Sequence, residues 1–75
     1  MDKNNELKRI GIRISYLRRL HNWDQETLAT NIGITRSYIS RIESGNGIDG
    51  VPLSLYMSIA DALGTPIWKL LKVDE

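Results

Sequence analysis

The segment Gln25–Ile42, QETLATNIGITRSYISRI, constrains this chain more than any other. Gly33 ends one apolar-periodic stretch, and only Ile34 separates it from Thr35, which can cap the next. A glycine just past a helix end takes the left-handed conformation without a Cβ penalty. A threonine hydroxyl at an N-cap accepts from the free N–H groups of the following turn. Two short helices must therefore meet across a very tight turn and cross steeply. Their closest approach needs a small residue, and Ala29 stands four positions before Gly33. Leu28, Ile32, Ile34, Ile39 and Ile42 supply the apolar side chains that lock the second helix onto the first.

The flanking sequence completes an all-helical reading. Leu7, Ile10, Ile14 and Leu17 recur at intervals of three and four, predicting a helix from about residue 5 to residue 20. Arg9 and Arg13 share another face of it, expected to be solvated. His21-Asn22-Trp23 breaks the pattern and Asp24 can cap the next helix. Trp23 is expected to close the core between helices one and two. His21 reads as a helix-end residue whose charge suits a C-terminus. The third helix should stop near Ser44-Gly45, and the glycine-rich stretch from Gly45 to Gly50 reads as a loop. Pro52 suits the first turn of a fourth helix, with Leu53, Tyr56, Ile59, Ala60 and Leu63 on its stripe and Gly64 closing it. Thr65-Pro66 looks like the N-cap and first position of a last short helix carrying Ile67, Leu70 and Leu71. Nowhere do apolar and polar residues alternate as in a strand. The expectation is all-α, a compact five-helix bundle forming one domain over residues 1–75, with residues 1–5 and 73–75 frayed.

Composition removes several function classes. Seventy-five residues leave room for one domain, and 41% hydrophobic with 25% charged residues is ordinary for a globular one. There is no cysteine, so neither a disulfide nor a thiolate metal site can be built. His21 has no second histidine, and ligand count disfavours a His–carboxylate zinc site, so no metal and no cofactor is expected. The polar start, Met1 to Glu6, lacks the apolar core of a signal peptide, and no run is long enough to span a bilayer. A cytoplasmic protein without a membrane partner is expected. A nucleophile–base–orienter set would need His21 beside a serine, and no glycine-rich strand–helix turn exists to seat a phosphate, so no enzyme is expected. The net charge of +1 says little, but its distribution says more. Lys8, Arg9, Arg13, Arg18, Arg19, Arg36 and Arg41 precede residue 42 and only Lys69 and Lys72 follow, so a polyanion should meet the first half.

The exposed face of the third helix follows from helical geometry. At roughly 100° per residue from Arg36, Ser40 falls at about 40°, Ser37 at about 100° and Arg41 at about 140°. Ile42 and Ile39 fall at about 240° and about 300°, so burying them turns Arg36, Ser37, Ser40 and Arg41 outward together. Such a face suits a DNA major groove, where arginine bonds guanine O6 and N7 and serine reaches a base edge or a phosphate. Tyr38 falls at the edge of the core, its ring able to pack and its hydroxyl able to reach a phosphate.

At this point the chain resembles the phage repressor/Cro, or Xre-like, class of helix-turn-helix domains. The resemblance rests on Ile10-Gly11-x-Arg13-Ile14-x-x-Leu17-Arg18, Gln25-Glu26-x-Leu28-Ala29, Ile39-Ser40-Arg41-Ile42-Glu43-x-Gly45 and Ile59-Ala60-Asp61-Ala62-Leu63-Gly64. It implies a repressor-like bundle in which helices two and three form the motif. It also implies a double-stranded DNA partner with a pseudo-palindromic operator, bound by a homodimer. Residue by residue, Gln25 matches a phosphate-binding position that braces the recognition helix. Arg36, Ser37 and Arg41 match base-reading positions, Thr35 and Ser40 backbone contacts, and Arg18 and Glu43 a structural salt bridge. The loop after helix three departs from the family pattern, because basic residues are replaced by Gly47, Asp49 and Gly50. Either backbone N–H groups and Asn46 contact the phosphates there, or the loop does something else. Trp68 points away from the stripe of Ile67, Leu70 and Leu71, and reads either as a homodimer contact or as simple packing. The implied activity is a repressor-type transcriptional regulator that acts by promoter occlusion or by contact with RNA polymerase. The Arg-Ser-Tyr-Ile-Ser segment also resembles controller proteins of restriction–modification systems. The rival reading is a protein-interaction module, such as an antitoxin or co-regulator on the same fold.

Overall fold

The computed structural model describes residues 3–45 and 50–71. They form five α-helices: α1 Lys3–Leu20, α2 Gln25–Ile32, α3 Arg36–Ser44, α4 Leu53–Ala62 and α5 Ile67–Leu71. No strand occurs among the described residues. Each helix supplies one side chain with no solvent exposure: Ile14, Leu28, Ile39, Ile59 and Leu70 in turn. Around these five pack Ala29, Ile42, Tyr56, Ala60 and Leu63, with Ile10, Leu17 and Trp23 half-buried at the margin. α1 lies against α3 and α5, and α2 against α3 and α4, so α3 is clasped between the first two helices.

Local chemistry sets the helix ends. α1 begins at Lys3, ahead of the expected start, and stops where Asn22 takes a positive φ of 59°. α2 ends where Gly33, at φ 79°, donates to the carbonyls of Ala29 and Thr30, and Ile34 N–H returns to Ala29 at 3.0 Å. The same closure recurs after α4, where Thr65 N–H bonds the Ala60 carbonyl at 3.0 Å.

Several side chains depart from the sequence reading. Thr65 closes α4 through its backbone, and α5 starts after Pro66, one residue later than expected. Pro52 is the N-cap of α4 and not its first helical residue, and Leu53 is 57% exposed while Leu55 and Tyr56 turn to the core. Arg13 is not simply solvated, since its Nη1 donates to the Leu70 carbonyl at 3.1 Å and so caps the end of α5. His21 reaches across the fold, Nε2 lying 2.9 Å from the Leu63 carbonyl, and its ring stacks on Trp23 at 4.9 Å. Trp23 is half-buried under that stack and does not seal the core fully.

Candidate nucleic-acid interface

The α2–turn–α3 unit is fixed at both helix starts. The Asp24 carboxylate accepts from Thr27 N–H and from its hydroxyl, each at 2.8 Å, which holds that carboxyl below the ordinary carboxylate range. Thr35 has extended backbone and its hydroxyl oxygen accepts from Tyr38 N–H at 3.1 Å. With Gly33 in the left-handed region, three residues turn the chain from α2 into α3. Ile39 and Ile42 are buried, and Arg36, Ser37 and Arg41 lie exposed on the other side of α3.

Ser40 is only half-exposed, unlike its neighbours on that face. Its angular position is outward on α3, but α1 runs beside it, and Ser15, Tyr16 and Arg19 line one concavity with Ser40. Tyr38 is half-buried at the edge of the core, as its angle implies. It stands near Tyr56, whose phenol is pushed up by burial and further by Tyr38. Asn46 lies outside the described residues.

A chain of polar contacts links the core to the exposed face of α3. Arg18 Nε donates to Glu43 Oε2 at 2.7 Å and Arg18 Nη2 to Oε1 at 3.0 Å, a two-pronged pair that is nearly sealed from water. Arg18 Nη1 also donates to the Trp23 carbonyl at 2.6 Å. Its hydrogen bonds to Glu43 hold the guanidinium still more firmly protonated than an ordinary arginine. Gln25 Nε2 donates to Glu43 Oε1 at 3.0 Å, and Gln25 Oε1 accepts from Arg36 Nη1 at 3.4 Å. So Arg18, Glu43, Gln25 and Arg36 form one relay from α1 through α3 and α2 back to the first residue of α3. No buried side-chain nitrogen or oxygen lacks a partner among the described residues.

The steric role of Gly11, which the sequence showed only as part of a pattern, emerges from the structure. A Cβ on Gly11 would stand 2.3 Å from the Glu43 carbonyl oxygen and 2.6 Å from that of Ile42, so α1 crosses α3 where only glycine fits. The available signal was its spacing: Gly11 lies seven residues before Arg18, two helical turns along the same face. Trp68 is 61% exposed, with Lys69 Nζ 5.7 Å from its ring centroid. Among the described residues no cluster of acids and histidine gathers to hold a metal, and no helix is long and apolar enough to cross a membrane.

Comparison with known proteins agrees with this architecture. A family model described as helix-turn-helix matches residues 14–67. The crystal structure of a hypothetical transcription factor, NHTF, from Neisseria is similar to this chain at 27% identity with a TM-score of 0.84. The match covers 97% of this chain and 82% of that one. No curated protein matches.

Proposed function

The chain belongs to the Xre/Cro-like helix-turn-helix family of DNA-binding regulators, and from that premise we propose that it is a sequence-specific repressor that inserts α3 into the major groove. The observation that carries this is the exposed face of α3. Arg36, Ser37 and Arg41 are held outward by the burial of Ile39 and Ile42 on a helix whose start is fixed by Thr35. Arg36 and Arg41 are the readers of guanine, with Ser37 at a neighbouring base edge. Gln25, Thr35, Ser40 and the Tyr38 hydroxyl meet phosphates and set the register. Gln25 already touches Arg36, so the group that meets the backbone also braces the group that reads the base.

Two half-sites about one helical turn apart would be occupied by a homodimer, with the exposed Trp68 at the contact between copies. The whole chain acts as one domain in the cytoplasm, and control follows from where it sits on a promoter.

Selection of bound duplexes from a random pool tests this reading. The expected product is a bipartite inverted repeat, bound with an affinity that falls steeply with salt. Arg36→Ala should weaken the selected site by about 1–3 kcal/mol and relax preference at one base position. A pool with no enriched sequence, and no salt-dependent binding at low ionic strength, would leave a protein-interaction module as the better description.

A further inference from the structure

We propose that the face of α1 turned away from α3 is a docking surface for an acidic amphipathic helix of another protein. The proposal goes beyond DNA recognition and starts from a second apolar row on α1. Ile14 and Leu17 pack inward, as one apolar stripe on a surface helix requires. Ile12, Tyr16 and Leu20 repeat at intervals of four on the solvent side, each more than half exposed. They run about 12 Å along the helix and stay within about 80° around it. Gly11 marks the line on which α1 meets α3. Tyr16 lies about 140° from that line and Leu20 about 180°, so the row turns away from the helix proposed to read DNA.

Tyr16 borders the concavity beside Ser40 and also lines two more toward Arg9 and Arg13. One, of about 340 Å³, is lined by Arg9, Ile12, Arg13 and Tyr16. The other, of about 320 Å³, has Arg13 and Tyr16 in common with it and continues to Leu17, Trp68 and Lys69. The exposed Trp68 thus forms the far wall of a groove between α1 and α5. Large apolar side chains gathered in the open on one face mark an interaction site. Tyrosine, tryptophan and arginine are the residues that carry most of the binding energy at such sites.

The charges select the partner. Arg9, Arg13 and Lys69 line the two concavities, and no acid among the described residues does. Arg13 is positioned by its bond to the Leu70 carbonyl at 3.1 Å, and Lys69 Nζ lies 5.7 Å from the Trp68 ring centroid. A second copy is a poor match, because a two-fold contact centred on Tyr16 sets these three cations against their own counterparts. A contact between copies through Trp68 is therefore not centred here. A duplex brings negative charge but no apolar partner for Ile12, Tyr16 and Leu20. An amphipathic helix flanked by aspartate and glutamate brings both, and its anchors at i, i+4 and i+7 span about 10.5 Å, close to the length of the row.

The test selects binders from a displayed library of random peptides, about four helical turns long, on the immobilised full chain without DNA. Enriched peptides should carry net negative charge, with apolar residues at i, i+3 or i+4, and i+7. Synthesised and labelled, they should bind with a Kd that Tyr16→Ala raises about thirtyfold. Arg9→Glu should raise it about fivefold, mainly by slowing association, and should weaken its dependence on salt. Leu53→Ser, which removes an exposed apolar side chain from α4, should leave the Kd unchanged. The substituted side chains are exposed, so each variant should keep the urea midpoint of the unaltered chain. No enrichment, enrichment of basic peptides, or binding that survives Tyr16→Ala would overturn the proposal. Loss of self-association in Tyr16→Ala would overturn it in favour of a second copy. An equal loss of affinity of Tyr16→Ala for random duplex would overturn it in favour of DNA.

Discussion

The crossing of α1 over α3 and the outer edge formed by α4 and α5 are built on opposite plans. At the crossing a glycine brings two backbones together, and a buried Arg18–Glu43 pair ties the helices with charged hydrogen bonds. At the edge, Leu53, Met57 and Trp68 are 57%, 48% and 61% exposed, and Pro52 gives α4 no side-chain cap. The end of α5 borrows its cap from α1, through Arg13. The edge covers the core through apolar burial alone, with Tyr56, Ile59, Ala60, Leu63 and Leu70 turned inward. Holding α3 at a set angle requires directional contacts from more than one side, and these are concentrated at the crossing.

The comparison breaks first, if it breaks, at the ion pair. Glu43→Ala leaves a buried guanidinium without its carboxylate and should destabilise the fold by about 3–5 kcal/mol in urea denaturation. Replacing both partners together, Arg18→Met with Glu43→Leu, should recover most of that loss. A single-variant cost under about 1 kcal/mol, the level of an exposed pair, would mean that the crossing is no tighter than the edge. Gly11→Ala comes next. Its new Cβ meets backbone carbonyls that cannot swing aside, so a loss of about 3 kcal/mol, read from the thermal midpoint, is expected. Thr35→Ala removes only the α3 cap and should cost about 1 kcal/mol.

Asp24 supplies a pH-dependent version of the cap test. Its carboxyl is lowered in the fold by its bonds to Thr27, so its contribution is complete above the ordinary carboxylate pKa. That contribution fades as pH falls through the lowered folded value, and Asp24→Asn should remove this part of the acid sensitivity. The smallest effects belong to the edge. Trp68→Ala and Leu53→Ser should each change monomer stability by less than about 0.5 kcal/mol. Trp68→Ala should nevertheless shift the self-association seen in sedimentation, if the exposed ring is the contact between copies.

The same two regions show how far the sequence could be read. Periodicity and punctuation disclosed the five helices because apolar stripes, Gly33 and Thr35 are local signals with local causes. The outward set Arg36, Ser37 and Arg41 followed from the inward set Ile39 and Ile42 by helical geometry alone. Contacts between distant segments carry no such signal. The reach of Arg13 to Leu70 spans fifty-seven positions and that of His21 to Leu63 forty-two. Ser40 shows the same limit: its angle on α3 is outward, but only the tertiary position of α1 determines what flanks it. Gly11 was legible as part of a pattern and not as a steric demand, because a glycine inside a helix reads first as a weakness.

Gly33 and Gly11 differ in kind as well as in place. A side chain at Gly11 would meet backbone, whereas a Cβ at Gly33 would meet nothing within 4 Å. The turn between α2 and α3 therefore selects for handedness and is indifferent to bulk. Its backbone conformation is one that a D-residue adopts readily and an L-residue only with strain. The third helix is thus aimed by two achiral residues, one chosen for the volume it lacks and the other for the stereocentre it lacks.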